Sequence, residues 1–101
     1  MYKNKIFYMC PDTYHNEQVN DTVYTKIKYA YVTYIPDNNG NYCPKDKSKI
    51  RHTSGMITLD PIDINNFIPH KDITNEMLLD WIKARINETE LQNLNIQRFT
   101  K

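Results

Sequence analysis

A run of fourteen residues, Thr22 to Ile35, contains neither glycine nor proline and is dense in β-branched and aromatic side chains. These residue types favour an extended backbone, so the run predicts one long β-strand. At about 3.3 Å per residue this strand would be about 45 Å long, whereas a compact domain of about 100 residues is about 34 Å across. We therefore expect the strand either to bend at a bulge or to project from the body of the protein.

The segment before this run predicts a shorter strand followed by a loop. Residues Lys5 to Cys10 are mostly apolar or aromatic, which favours a strand with little solvent contact on either face. Residues 11–21 begin with a proline and are rich in polar side chains, which is typical of a loop.

The segment after the run predicts a returning strand. Residues 36–49 carry Pro, Asn and Gly, the residue types of turns, and Ile50 to Leu59 again favours a strand, with Gly55 as a candidate bulge. Residues 22–59 are therefore expected to form a long central hairpin of a small antiparallel sheet of about three strands. Its part from Ile27 to Arg51 is the candidate arm for reaching a partner.

The last third of the chain predicts one or two helices that cover the sheet. Residues 60–73 hold two prolines and predict an extended connector that brings apolar side chains onto the core, namely Ile62, Ile64, Phe67 and Ile68. Thr74 has the side chain of a helix N-cap, and a second capping pattern begins at Asn87. Between them, apolar side chains recur at helical spacing and are the expected core anchors, together with Phe67: Leu78, Trp81, Ile82 and Ile86.

Length and composition limit the class of protein. A chain of 101 residues is expected to form one α+β domain, with a β-rich part at 1–59, a connector at 60–73 and a helical part at 74–101. No apolar stretch approaches the eighteen or so residues of a membrane span, and the apolar run near the N-terminus is too short for a signal peptide. We expect a protein made and used without secretion, with no membrane contact and with two free thiols, Cys10 and Cys43.

The residues that usually carry chemistry are scattered. The cysteines and histidines stand singly, without the paired spacing of a zinc site, and the aspartates lack the spacing of a calcium loop. Neither cysteine lies in a pattern typical of a catalytic nucleophile. We therefore expect no enzyme activity, no metal, no cofactor and no small-molecule substrate.

The tyrosines point to protein contacts. All eight lie within the first 42 residues, and tyrosine is favoured at interfaces because it covers much area at a small entropic cost. Because C-terminal helices can cover only one face of a thin sheet, the aromatic side chains of the other face need water or a partner. The candidate interface residues are Tyr24, Tyr29, Tyr31, Tyr34 and Tyr42.

One segment resembles a known family. The phrase Phe67-Ile-Pro-His70, Asp72-Ile-Thr74, Glu76 and Leu79-x-Trp81-Ile-Lys83 is similar to F-I-P-Y-x-x-L-T-E-E-x-V-x-x-W-V-K, found in small uncharacterised proteins of tailed bacteriophages of the marine type. His70 stands where the family has Tyr, and Ile73 where it has Leu. The resemblance covers about a fifth of the chain and implies a phage protein, with no catalytic residue to carry over.

The resemblance and the tyrosines together lead to a functional expectation. We expect a non-enzymatic structural protein of the virion, a decoration, neck or tail component that binds copies of itself or other virion proteins. The alternative is a small intracellular phage regulator that binds nucleic acid or a host protein. Basic side chains on the long strand and near the return strand favour that alternative, namely Lys26, Lys28, Lys45, Lys47, Lys49 and Arg51, but a net charge of only +1 makes nucleic acid the less expected partner.

Overall fold

The computed structural model of the protein describes residues 1–61 and 64–99, except for the side chains of Cys10 and Asn66. Three strands form one antiparallel sheet in the order β1-β2-β3: β1 is Lys3–Asn16, β2 is Asp21–Tyr34 and β3 is Ile50–Thr58. Two helices follow, α1 at Asn75–Lys83 and α2 at Glu88–Phe99, and three single 3-10 turns lie at Lys47–Lys49, Ile64–Asn66 and His70–Asp72. The predicted α+β class, the three-stranded sheet and the C-terminal helices are confirmed.

The long strand β2 agrees with its prediction to within one residue at each end. It is the central strand and pairs with β3 from Lys26 to Tyr34 without a break in register. Gly55 lies within this pairing opposite Tyr29, so the expectation of a bulge at Gly55 is wrong. The irregularity is instead in β1, where the register with β2 shifts between Met9 and Thr13.

That bulge explains why the predicted loop at residues 11–21 is largely wrong. Pro11 cannot donate to a ladder, but β1 is an edge strand and Pro11 lies where the pairing is interrupted, so the strand continues to Asn16. The true turn is residues 17–20. There Asn16 Oδ1 accepts hydrogen bonds from the backbone of Gln18 and Val19, and Asn20 has a φ of 49°.

The end of the β1–β2 hairpin extends past the third strand. Before Lys26, β2 pairs with β1 alone, since Thr58 at the end of β3 pairs with Lys26. The protein measures 50 × 24 × 19 Å along its principal axes. Residues 13–24 are therefore the part of the β1–β2 hairpin that extends past β3, with Val23 buried there. The role of Ile27 to Arg51 as an arm that reaches a partner stays a prediction.

The helices pack on one face of the sheet. Ile27 and Ile57 of the sheet and Leu78 and Ile82 of α1 form a buried cluster. Trp81 and Ile86 pack against this cluster and stay partly exposed. The N-caps hold as predicted: the Thr74 side chain accepts a hydrogen bond from the backbone of Met77, and Asn87 Oδ1 accepts one from the backbone of Glu90 at 3.1 Å.

α2 joins the sheet through polar groups. Asn95 is fully buried; its Nδ2 donates to the backbone oxygen of Tyr31 at 2.9 Å and to Thr33 Oγ1 at 3.0 Å. Its Oδ1 accepts from Thr53 Oγ1 at 2.8 Å. Thr33 in turn donates to Asn4 Oδ1 at 2.7 Å, so one network links the three strands to the helix.

The connector docks against β2 less completely than predicted. Asp21 Oδ2 accepts a hydrogen bond from the backbone of His70 at 2.9 Å, and this bond lowers the pKa of the Asp21 carboxyl, assisted by the backbone of Thr22. Phe67 is half-buried, but Ile64 and Ile68 remain 56% and 38% exposed, so their expected burial is wrong. The prediction for Ile62 lies outside the described residues.

Candidate functional site

One face of the sheet carries α1 and α2, and no helix of the described chain covers the other, which we call the open face. Residues directly opposite one another in an antiparallel pair point to the same side. The open face therefore consists of Lys3, Lys5, Phe7 and Met9 of β1, of Lys28, Ala30, Val32 and Tyr34 of β2, and of Ile50, His52, Ser54 and Met56 of β3.

One half of the open face carries accessible apolar side chains. Phe7 lies opposite Ala30, while Met9 and Met56 lie on either side of Lys28. The exposed fractions of Phe7, Met9 and Met56 are 37%, 46% and 51%. We call Phe7, Met9, Ala30 and Met56 the apolar patch. The sequence predicted a β1 strand with little solvent contact on either face, so it did not indicate this patch.

The charge on the open face has one sign. Lys3, Lys5 and Lys28 lie on it, and its twelve strand positions include no Asp or Glu. The next pair along the strands, Lys26 opposite Asp12, is the first to bring a carboxylate. The face thus has accessible apolar side chains around Lys28 and two further cations, Lys3 and Lys5, toward its other end.

The loop before β3 closes one end of the open face. Tyr42 packs on Tyr34 with ring centroids 5.0 Å apart and on Phe7 at 6.1 Å. The ammonium group of Lys5 lies 5.4 Å from the centroid of the Tyr42 ring and 5.6 Å from that of Phe7. These contacts engage the ring faces within the molecule, which leaves Met9, Met56 and part of Phe7 for contact with a partner.

The structure divides the five tyrosines predicted for the interface. Tyr34 and Tyr42 lie at the open face. Tyr31 is only 2% exposed beneath α2, so its prediction as an interface residue is corrected. Burial, reinforced by the neighbouring carboxylate of Glu88, raises the pKa of Tyr31 to about 12.

The two remaining tyrosines also pack within the molecule. Tyr29 lies on the helix side and contacts the core, and Tyr24 packs on His70 with ring centroids 5.4 Å apart. The odd-numbered tyrosines of β2 thus belong to the core because the helices cover their side of the sheet.

Trp81 packs against the core and also lines a cavity. An open cavity of about 180 Å³ lies between β2, the connector and α1, and its lining residues are Thr22, Val23, Tyr24, Leu59, Asp60, Phe67, Ile68, Ile73, Trp81 and Arg85. Arg85 Nη2 lies 3.4 Å from Asp60 Oδ2, and Arg85 also donates to the backbone oxygen of Trp81. The cavity is mainly apolar, and its one cation is paired with its one anion.

Side chains of the types that often act in catalysis do not share a site. His52 is on the open face, Cys43 is a free thiol in the loop before β3, and Asp60 follows the opposite end of β3. Among residues 1–61 and 64–99, no group of three or more His, Cys, Asp or Glu side chains is placed to hold a metal ion. The prediction of a free thiol at Cys10 lies outside the described side chains.

The basic side chains that favoured a nucleic-acid partner do not all lie on one face. Lys28 lies on the open face, whereas Arg51 lies on the helix side, where its guanidinium packs 4.9 Å from the centroid of the Phe99 ring. Arg51 is therefore removed from any surface formed by the open face.

No protein-family model matches the chain, and neither a curated protein nor a solved structure matches it. In the described part of the chain, neither helix has the length and apolar composition needed to cross a bilayer.

Proposed function

We propose that the protein is a non-enzymatic binding protein that docks on another protein through the open face of its sheet. The observation that carries this proposal is the apolar patch, in which Phe7, Met9 and Met56 are each more than a third exposed although the opposite face of the same sheet is packed by helices. Large side chains gathered at one exposed place are typical of an interaction surface.

The composition of the open face favours a protein partner. Methionine and aromatic residues are enriched at protein interfaces and adapt to a partner's shape. Here Met9, Met56 and Phe7 lie around Lys28, and Lys3 and Lys5 lie toward the other end of the face. Seven successive positions of β2, Lys28 to Tyr34, span about 20 Å, which fits a small interface.

We further propose that this binding builds a bacteriophage particle, with the protein as a decoration, neck or tail component made in the host cytoplasm. The support is the resemblance of Phe67 to Lys83 to small tailed-phage proteins. A small contact area suits such a component, because contacts that repeat in a symmetric array add up to stable binding.

The test combines the particle and the surface. Mass spectrometry of purified particles should find the protein in stoichiometric amount. A Met9→Ser, Met56→Ser variant should fold as the wild type does and be lost from the particle, whereas Ile64→Ser, which changes an exposed side chain outside the open face, should be retained. Absence of the wild-type protein from particles, or normal incorporation of the double variant, would overturn the proposal.

A second candidate is an intracellular regulator that binds single-stranded nucleic acid on the same face. The observation that favours it is the set of lysines without a carboxylate, next to aromatic rings. With three lysines, the logarithm of the affinity for an oligonucleotide should fall with the logarithm of salt concentration with a slope of about −2. Titration of a fluorescent oligothymidylate at several salt concentrations measures this slope, and no binding at low salt excludes the candidate.

A further inference from the structure

The charges of this protein are separated between its two sides. The open face holds Lys3, Lys5 and Lys28 and no carboxylate. The rest of the chain then has ten basic and twelve acidic side chains, a net charge of −2, while the whole chain is at +1. A molecule with this separation can meet a second copy of itself with opposite charges in contact.

The acidic side is the layer of α1, α2 and the turn before them. Its carboxylates are all exposed: Asp72, Glu76, Asp80, Glu88 and Glu90. Arg85 of this layer pairs with Asp60. Lys71, Lys83 and Arg98 keep their positive charges against the five carboxylates, so this layer is acidic by two charges.

The helix layer also offers an apolar contact. Leu94 of α2 is 40% exposed and lies four residues after Glu90, so the two side chains share one face of the helix. An exposed leucine beside a carboxylate is the counterpart of an apolar patch bordered by lysines.

We propose that the open face of one copy binds the helix layer of a second copy, head to tail. The inference rests on the proposed function and names the partner of the same surface. A symmetric pairing of two open faces would bring lysines against lysines, and like charges in an interface disfavour the pairing. Head-to-tail contact instead places lysines against carboxylates and the apolar patch against Leu94.

Head-to-tail contact has a structural consequence. A head-to-tail pair has an unoccupied open face at one end and an unoccupied helix layer at the other. Further copies therefore add until a ring closes or a filament grows. Each contact can be weak, because a copy within the array is held on two sides. Assembly should therefore depend steeply on protein concentration and weaken with salt.

Reciprocal charge reversal tests the proposal. One variant, Lys5→Glu with Lys28→Glu, makes the open face acidic. The other, Asp80→Lys with Glu90→Lys, makes the helix layer basic. Sedimentation velocity over a range of protein concentrations should show self-association of the wild type and association weaker by roughly tenfold or more in each variant alone. An equimolar mixture should regain assembly, because each contact again joins opposite charges.

The controls separate charge from folding and from other modes of association. Thermal unfolding of each variant checks that it is folded, and Lys45→Glu with Lys47→Glu makes the same change of net charge in the loop before β3. If Asp80→Lys, Glu90→Lys still assembles alone, the open faces pair with each other and the proposal is overturned. Failure of the mixture to assemble overturns it as well.

The proposed function can survive a negative result. A wild-type protein that stays monomeric at millimolar concentration, and yet enters particles in a manner dependent on Met9 and Met56, binds a different protein. In that case the head-to-tail proposal falls and the proposed function stands. If the protein self-associates as described but is missing from particles, the proposal of a virion component is overturned and the head-to-tail proposal stands.

Discussion

Tyr29 of β2 lies directly opposite Gly55 of β3, and its phenol ring covers the glycine on the helix side of the sheet. A Cβ atom at residue 55 would lie 2.5 Å from the Tyr29 hydroxyl oxygen and 2.7 Å from Cζ. Glycine within a strand often marks a place where another group approaches closely, and here that group is an aromatic side chain on the neighbouring strand. The Tyr29 ring occupies the space that a side chain at position 55 would need.

Gly55→Ala should destabilise the protein because the Tyr29 ring must leave its position. We expect a loss of about 1–3 kcal/mol in the free energy of unfolding, the usual cost of overpacking. In a Tyr29→Ala background the same substitution should be neutral or slightly stabilising, since alanine restricts the unfolded chain more than glycine does. Chemical denaturation of the four proteins of this double-mutant cycle gives the coupling energy, with Ser54→Ala as control. A coupling energy near zero would show that the position of the Tyr29 ring does not require glycine at position 55.

The sequence predicted the elements well where local patterns decide them. β2, α1 and both N-caps depend on residue types in the segment itself, and they were found within one or two residues. Pro11 and Gly55 were misjudged for a different reason. A proline is acceptable in an edge strand at a bulge, and a glycine is needed beneath a neighbouring ring, and both facts depend on which strand lies beside the residue.

The candidate site was harder to predict than the fold. Alternation along β2 separates its side chains into two groups, but it does not say which group the helices will cover. The helices covered the side that holds Tyr29 and Tyr31, so two of the expected interface tyrosines became core residues. The exposed apolar side chains of the open face include Met9 and Met56. No residue pattern in the sequence indicates that these two methionines lie on the surface together.

Asn95→Ala should be among the most destabilising single substitutions in α2. The change removes two donors and one acceptor from a fully buried position and leaves the backbone oxygen of Tyr31 and the hydroxyl of Thr53 without their partner. A buried polar group that loses its partner costs about 1–3 kcal/mol. Urea denaturation should show a loss of this size, while Asn93→Ala, at an exposed position of the same helix, should change the free energy of unfolding by less than about 0.5 kcal/mol. Equal effects of the two substitutions would contradict the buried network.

Stability at high pH should depend on Tyr31. Burial, together with Glu88, raises its folded pKa to about 12, above the value of 10.0 of an ordinary tyrosine. The neutral phenol is thus favoured in the folded state, so this contribution is fully present below pH 10 and is lost as pH rises toward 12. Between these values the wild type should lose free energy of unfolding faster than Tyr31→Phe, which has no phenol to ionise. Parallel pH profiles for the two proteins would rule out the effect, and the comparison cancels the titration of the lysines.

Ile82 and Trp81 are neighbours in α1 that should differ in their contribution to stability. Ile82 is fully buried between the helix and the sheet, whereas Trp81 is half-buried and lines an open cavity. Removing buried methyl and methylene groups leaves a void, so Ile82→Ala should cost about 2–5 kcal/mol. Trp81→Leu keeps an apolar side chain beside a space that already exists, and should cost less than about 2 kcal/mol. Chemical denaturation of both variants, with Lys83→Ala as an exposed control, decides between them. A larger loss for Trp81→Leu would make the indole the main anchor of the helix.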